Sequence, residues 1–448
     1  MKRIKIANGQ GFWGDSIDAP FDLIKYGDID YLTLDYLAEV TMSIMQRQKK
    51  KNPNAGYATD FVDLIDRSIH YLVENRIKVI ANAGGANPHS CREEILKIAN
   101  RENLDLKVAI VSGDDIYNSL DALQLKGQDF DNLYNNQKFR DIKDNVYSAN
   151  VYIDSFSISE ALLLGADIVL CGRISDPGLV VGPCIYEFGW GRNDYDKLAS
   201  ATVAGHIIEC GAQCSGGNFS KWMDVESLDN IGYPIANIDS SGAFDIIKPE
   251  GSGGLINKFT ISEQILYELG NPKKYISPDV CVDFTSFDIK ELSKDVVNIS
   301  GVKGFKPTDT FKVSISYFDG YKASGQLTIS GPNALDKAKM ASKIIWAKLK
   351  RAKTQFDDTS TEFLGLSSCH GPIISKKPDI INEIVLRVGV KSKCKNSVER
   401  FTKELAPLIT AGPPGITGFS EGRPRVREIV AYWPTLIDKD LIKTNSEI

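Results

Sequence analysis

Ile77–Pro88 reads IKVIANAGGANP, a short β-branched run that stops at Asn82, Gly84, Gly85 and Pro88. Just before it, Thr59–Arg76 sets Phe61, Leu64, Ile65, Ile69, Leu72 and Val73 at the three- and four-residue steps of one helix face. Just after it, SCREEILKIANRE (Ser90–Glu102) is again helical. Ser90 reads as its cap, and acidic residues fill the first turn, where the helix dipole favours them. LKVAIVSGDD (Leu106–Asp115) then repeats the strand that ends in glycine. The same rhythm recurs in RIKIANGQG (Arg3–Gly11), in IDYLTLDYLAE (Ile29–Glu39), whose apolar and polar residues alternate, and in SISEALLLGADIVLCGRISDPG (Ser157–Gly178). Strands alternating with helices are the pattern of a parallel sheet covered by helices. The N-terminal half therefore reads as α/β, a parallel sheet with flanking helices.

The remainder reads as a mixed α+β region. KPEGSGGLINKF (Lys248–Phe259) is glycine-rich and leads to a helix start with the Thr260-x-x-Glu263 spacing of a capping box. Thr308–Gly331 holds two alternating runs around Asp319-Gly320, the pattern of an antiparallel hairpin. Ala334–Lys350 has helical periodicity, and the charged stretch Lys350–Thr361 reads as a linker. The expected division is an α/β domain over 1–215 and a mixed domain with hairpin and long helix over 216–448.

Composition narrows the function classes. The chain has 448 residues, 42% hydrophobic and 25% charged, with formal net charge −5. That mild acidity argues against nucleic-acid or membrane-surface partners, which require clustered Lys and Arg. The N-terminus lacks a signal-peptide core, and no apolar run is long enough to span a bilayer. The eight irregularly spaced cysteines read as free thiols in a reducing compartment. A cytoplasmic homo-oligomer is expected, with no cofactor required by the sequence.

In open parallel sheets, ligands bind at the carboxyl ends of the strands. That rule selects Asn8 and Gln10, Asp35 and Glu39, Asn82, Gly84, Gly85 and Asn87, Ser112, Gly113 and Asp114, and Arg173 with Asp176. Asp35, Glu39 and Asp114 are candidate catalytic acids or bases. Gly84-Gly85 and Gly253-Gly254 either cradle an anion with their N–H groups or simply permit tight turns. Arg423 and Arg425, with Arg427, could grip a carboxylate or phosphate, or protect an edge strand.

HIIECGAQCSGGNF (His206–Phe219) leaves three readings open. His206, Cys210 and Cys214 at four-residue steps suit a metal, a thiol activated by its base, or packing on a helix face. No fourth ligand is selected by spacing, so no metal is assigned. His206 is retained as a catalytic candidate, and Gly216, Gly217 and Asn218 as ligand-binding ones. The stretch reads as a hinge between the two halves. His89 and His370 each sit in a loop-like context and carry no role alone.

The blocks IANGQGFWGDS, LDYLAEVTMSIM, VIANAGGANP, CGRISDPG, HIIECGAQCSGGNF, KPEGSGGLI and AGPPGITGF with GRPRVRE resemble, in order, the acyclic terpene utilisation AtuA family. The resemblance implies a place in branched terpenoid catabolism through acyl-CoA intermediates, without transferring a catalytic residue. The expected activity is that of a lyase or hydratase acting on a small-molecule carboxylate or acyl-CoA. The alternatives are a non-catalytic partner of an acyl-CoA carboxylase pathway and a metal-dependent hydrolase.

Overall fold

A computed structural model describes residues 2–38, 40–366, 368–373, 381–418 and 422–448. In chain order the first elements are β1 (Arg3–Gln10), α1 (Ala19–Tyr26), β2 (Tyr31–Leu34), α2 (Thr41–Lys51), α3 (Thr59–Glu74), β3 (Lys78–Ala81) and α4 (Pro88–Arg101). They are followed by β4 (Val108–Ser112), α5 (Leu120–Leu125), β5 (Val146–Val151), α6 (Phe156–Leu163), β6 (Ile168–Cys171), α7 (Gly178–Phe188) and α8 (Tyr195–Ile208). Next come β7 (Ile235–Asp239), β8 (Phe244–Ile247) and α9 (Lys258–Leu266).

The five strands expected in the N-terminal half form one parallel block in the order β1-β2-β3-β6-β4. Antiparallel strands extend it at both edges. β7, β8, Val296–Ser300 and Asp288–Ser293 continue beyond β1, and Asn445–Glu447 closes the β4 edge. The sheet is thus mixed, with a parallel centre. β2 does not alternate buried and exposed residues, because all four of its side chains are covered. Leu32, Leu34, Val79, Ala81, Ile168 and Leu170 share one core with Phe61, Leu64, Ile65 and Ile69 of α3. The intervening residues Ile6, Tyr31, Ile80 and Val169 are also buried, on the face that meets α6, α7 and α8.

Register brings the functional row together. Leu34 pairs with Ala81, Ala81 with Leu170, and Val111 with Cys171. Asp35 and Asn82 therefore leave the sheet side by side, and Gly172 follows one residue farther along the neighbouring strand. β6 returns to lie between β3 and β4, and strand ends diverge into a crevice at such a reversal.

Two compact units divide the chain, one comprising 1–316 with 432–448 and the other 317–431. The position 215/216 falls inside the first unit, so His206–Phe219 stays within it. In the second unit, Glu383–Ser392 pairs with both Asp358–Leu364 and the long strand Thr310–Ser330. The helix Ala334–Arg351 contributes Ala341, Ile345 and Leu349 to a core with Leu327, Leu386, Val388 and Phe401.

Three local expectations are corrected. Asp319-Gly320 is no hairpin turn: the chain runs straight through it as part of Thr310–Ser330. Gly320 has φ +96° there, and a Cβ would come 2.9 Å from the Ser392 carbonyl oxygen. Lys350–Thr361 is not a free linker, since it contains the end of one helix and the start of Asp358–Leu364. Both expected helix caps lie one turn too late. Asn87 caps α4, accepting from Ser90 N at 3.5 Å. Asn257 and Thr260 form the capping box of α9, in which Asn257 Oδ1 accepts from Thr260 N and Thr260 Oγ1 from Asn257 N.

Candidate functional site

Asp35 follows β2 and is buried. Its Oδ1 accepts from Asn82 Nδ2 at 2.6 Å and from Leu37 N at 2.9 Å. Asn82 Oδ1 in turn accepts from Tyr36 N at 2.6 Å, so the ends of β2 and β3 are locked by reciprocal bonds. Burial pushes the Asp35 carboxyl up to about 8, aided by the nearby Asp176 charge, while the Arg173 charge and the Asn82 bond partly offset this. Asp35 is thus an acid that keeps its proton at neutral pH.

Arg173 follows β6 and is only 2% exposed. Its guanidinium donates to Leu37 O, pairs with Asp176 Oδ1 at 3.0 Å and lies 4.3 Å from the centre of the Tyr152 ring. Asp114 fixes the backbone beneath it: Oδ2 accepts from Arg173 N at 2.8 Å and from Asn150 Nδ2 at 2.9 Å. Burial raises Asp114 to about 6, against the lowering effect of those two bonds. Gly172 makes this approach possible, because a Cβ there would collide with the Asp114 carboxylate. Asp176 keeps about a third of its side chain exposed (36%), and so opens the group toward solvent.

A second set joins the same cluster from the end of α8. Asn8, on β1, donates to the last carbonyls there, Ile208 O at 2.9 Å and Glu209 O at 2.8 Å. Helix-end carbonyls need such partners when buried. Glu209 Oε1 lies 3.1 Å from His206 Nδ1, and His206 Nε2 lies 3.3 Å from Ile265 O. Burial raises Glu209 to about 7; the His206 charge opposes that rise, and Asp176 and Glu268 add to it. Burial alone would lower His206, but the Glu209 charge and bond outweigh it and the net shift is upward. Tyr275 and Phe284 pack around the imidazole at 5.6 and 5.2 Å between ring centres.

Buried polar atoms in this cluster without a hydrogen-bond partner among the described residues include Asn150 Oδ1, Arg173 Nε, Glu209 Oε2 and Gln264 Oε1. Buried polar groups are nearly always satisfied, so these atoms are where a water or a ligand group would be held. Gln264 also lines a groove of about 300 Å³ between the 213–220 segment and α9.

The structure therefore brings together Asn8, Asp35, Asn82, Asp114, Arg173, Asp176 and His206. Gly217 and Asn218 line the adjoining groove, and Gly216 turns the chain beside it with φ +104°. Gln10 stands at the end of β1, where its side chain donates to Phe12 O at 2.8 Å and its carbonyl accepts from Asp35 N. Other candidates have structural partners. Gly85 N and Asn87 N donate to Asn82 O and Gly84 O, and Asn87 Nδ2 to Pro53 O. Gly84 packs against Pro88, and Gly85 against Met45. Ser112 pairs with Asn445, and Gly113 lies under Lys443. Gly253 N and Gly254 N donate to Asn230 O and Glu226 O. Arg423, Arg425 and Arg427 are exposed residues of the second unit. His89 is largely exposed, 3.8 Å from Glu447, and His370 is exposed. Glu39 lies outside the described residues.

The His206, Cys210 and Cys214 steps do not form one helical face. α8 stops at Ile208, and Gly211, at φ +58°, begins a tighter 3₁₀ turn. Burial and Glu209 push the Cys210 thiol up to about 12, and burial pushes Cys214 higher, so neither has thiolate character. Among the described residues no group of three or more His, Cys, Asp and Glu side chains is placed to hold a metal ion. Sequence reasoning missed Glu209, three residues after His206 and so on the same helical side. It also missed Asn150, Tyr152, Gly172 and Gln264, which carry no local signal.

The model of the family described as "Acyclic terpene utilisation family protein AtuA" matches residues 4–448, essentially the whole chain. The chain belongs to that family, and the family points to a role in acyclic terpene utilisation. No curated protein and no solved structure matches the chain significantly.

Proposed function

We propose that this AtuA-family member is an enzyme of acyclic terpenoid catabolism that moves a proton on a branched-chain acid or its CoA thioester, as a lyase or hydratase does. The observation that carries the reading is the buried Asp35 carboxyl, fixed by Asn82 Nδ2 and Leu37 N within the electrostatic reach of the buried Arg173 guanidinium, where burial pushes it up to about 8. An acid kept neutral at pH 7 can donate to a carbonyl oxygen as negative charge develops there. Arg173 Nε supplies a second, unused donor in the same cluster. Glu209, titrating near 7 and held by His206, is suited to take a proton from the carbon beside that carbonyl. Asn82 and Asp114 act as positioning residues for Asp35 and Arg173. Asp176, partly exposed, lies where the substrate would approach.

The test is deuterium incorporation. The full chain is incubated in D2O with a 3-methyl-branched acyl-CoA and, separately, with the free acid. Mass spectrometry should find deuterium at the carbon next to the carbonyl, and none with Asp35→Asn or Glu209→Gln. A protein that binds the thioester, seen as a raised melting temperature, yet exchanges no deuterium contradicts the reading.

A further inference from the structure

We propose that the groove between residues 213–220 and α9 is a subsite for the hydroxyl-bearing end of a branched aliphatic ligand, read by the side-chain carbonyl of Gln264. The groove has a volume of about 300 Å³ and is lined by Gln213, Gly217, Asn218, Glu263, Gln264 and Tyr267, among others. Gln264 is 1% exposed, and its Nε2 donates to His206 O at 3.2 Å. That bond fixes which end of the amide is the oxygen, and Oε1 has no partner among the described residues. A buried carbonyl without a donor costs free energy that a ligand O–H would recover.

The chemistry of the neighbours selects a neutral donor rather than a carboxylate. Ser220 N, a donor on the groove wall, is bound to Glu263 Oε2 at 3.1 Å. The Tyr267 hydroxyl is engaged by Glu268, whose bond, with burial, pushes the phenol up to about 12. Glu209 and Glu268 both act electrostatically on Tyr267 and Cys210. An anionic group entering here would meet Glu263 on the groove wall and the charges of Glu209 and Glu268 nearby. A hydroxyl could instead donate to the unpaired Gln264 Oε1. Phe219 and Leu266 supply apolar wall for an aliphatic chain.

This subsite rests on the proton-transfer reading only for the identity of the substrate, a hydroxylated branched acid or thioester. Its test is separate. Isothermal titration of the full chain compares 3,7-dimethyloctan-1-ol with its methyl ether, which keeps the oxygen but lacks the O–H. The native chain should bind the alcohol at least about tenfold more tightly, as expected for one buried hydrogen bond. Gln264→Leu should reduce that preference to less than about threefold. Equal binding of alcohol and ether by the native chain, or binding of neither, overturns the subsite without any variant. So does an unchanged preference in a folded Gln264→Leu protein. A native chain that shows no hydroxyl preference but exchanges deuterium removes this inference alone, and a native chain that prefers the alcohol but exchanges no deuterium removes the proton-transfer reading alone.

Discussion

Asp35 and Asp279 are both buried carboxylates of the first unit, and burial raises both, to about 8 and about 7. Their surroundings differ. Asp279 accepts from Ser155 N at 2.8 Å and from Ser155 Oγ at 2.7 Å, one on each oxygen. Lys439 nearby donates to Pro278 O at 2.7 Å, and Arg192 pairs with Asp154 at 2.8 Å. The Asp279 carboxylate is closed. Asp35 instead shares its space with Arg173, whose Nε is unmatched, and with Asp176, which in turn acts on Glu209 with its own unmatched oxygen. A raised carboxyl alone does not mark a working site; a raised carboxyl among unsatisfied partners does.

That contrast can be broken most sharply at Asp35. Asp35→Asn should lower turnover by about a hundredfold to ten-thousandfold, the usual worth of a positioned acid. Asparagine keeps an oxygen for Asn82 Nδ2 and Leu37 N, so the fold should persist. The matching change Asp279→Ala should leave turnover unchanged. Steady-state deuterium exchange measured on the two variants side by side checks both outcomes.

A structural prediction comes next in size. Gly172→Ala should cost about 3 kcal/mol or more, since its methyl would overlap Asp114 Oδ1 and nothing nearby is free to yield. Chemical denaturation gives the loss, and the Arg173 anchor should fail with it. Asp279→Ala should cost about 1–3 kcal/mol, because it strands the two Ser155 donors in a buried position. Equal losses at positions 172 and 279 would weaken the distinction between the two carboxylate settings.

The pH dependence has a definite sign. Asp35 has a folded pKa raised above its ordinary value near 4, so its protonated form favours the fold. The stability it contributes is full below about pH 4 and is lost as pH rises through about 8. Asp35→Asn cannot ionise. Its melting temperature should therefore gain on the native chain from pH 5 to about pH 8 and level off above it. Thermal melts across that range check this, and a constant difference speaks against a buried, protonated Asp35.

Much of the fold could be read from local signals. Runs closed by glycine gave four of the parallel strands, alternation gave β2, and the strand-end rule gave Asn8, Asp35, Asn82, Asp114, Arg173 and Asp176. The antiparallel edges were not legible, because their pairing depends on segments far apart, such as Asn445–Glu447 against β4. The Asp319-Gly320 pair misled because a positive φ serves a passing strand as well as a turn; the nearby Ser392 carbonyl, not the dipeptide, decides between them. Gly84-Gly85 looked like an anion cradle for the same reason. Its amides turn inward, and Met45 fills the space beside Gly85. Gln264 and Asn150 could not be found from sequence, since their importance lies in atoms contributed by α8 and by Asp114.

The most direct test of the central claim is the titration of Asp35 itself. With carboxyl-13C aspartate incorporated into the full chain and Asp35→Asn used to assign its resonance, the account predicts a midpoint near pH 8. A midpoint near 4, the value of an ordinary aspartate, would contradict it.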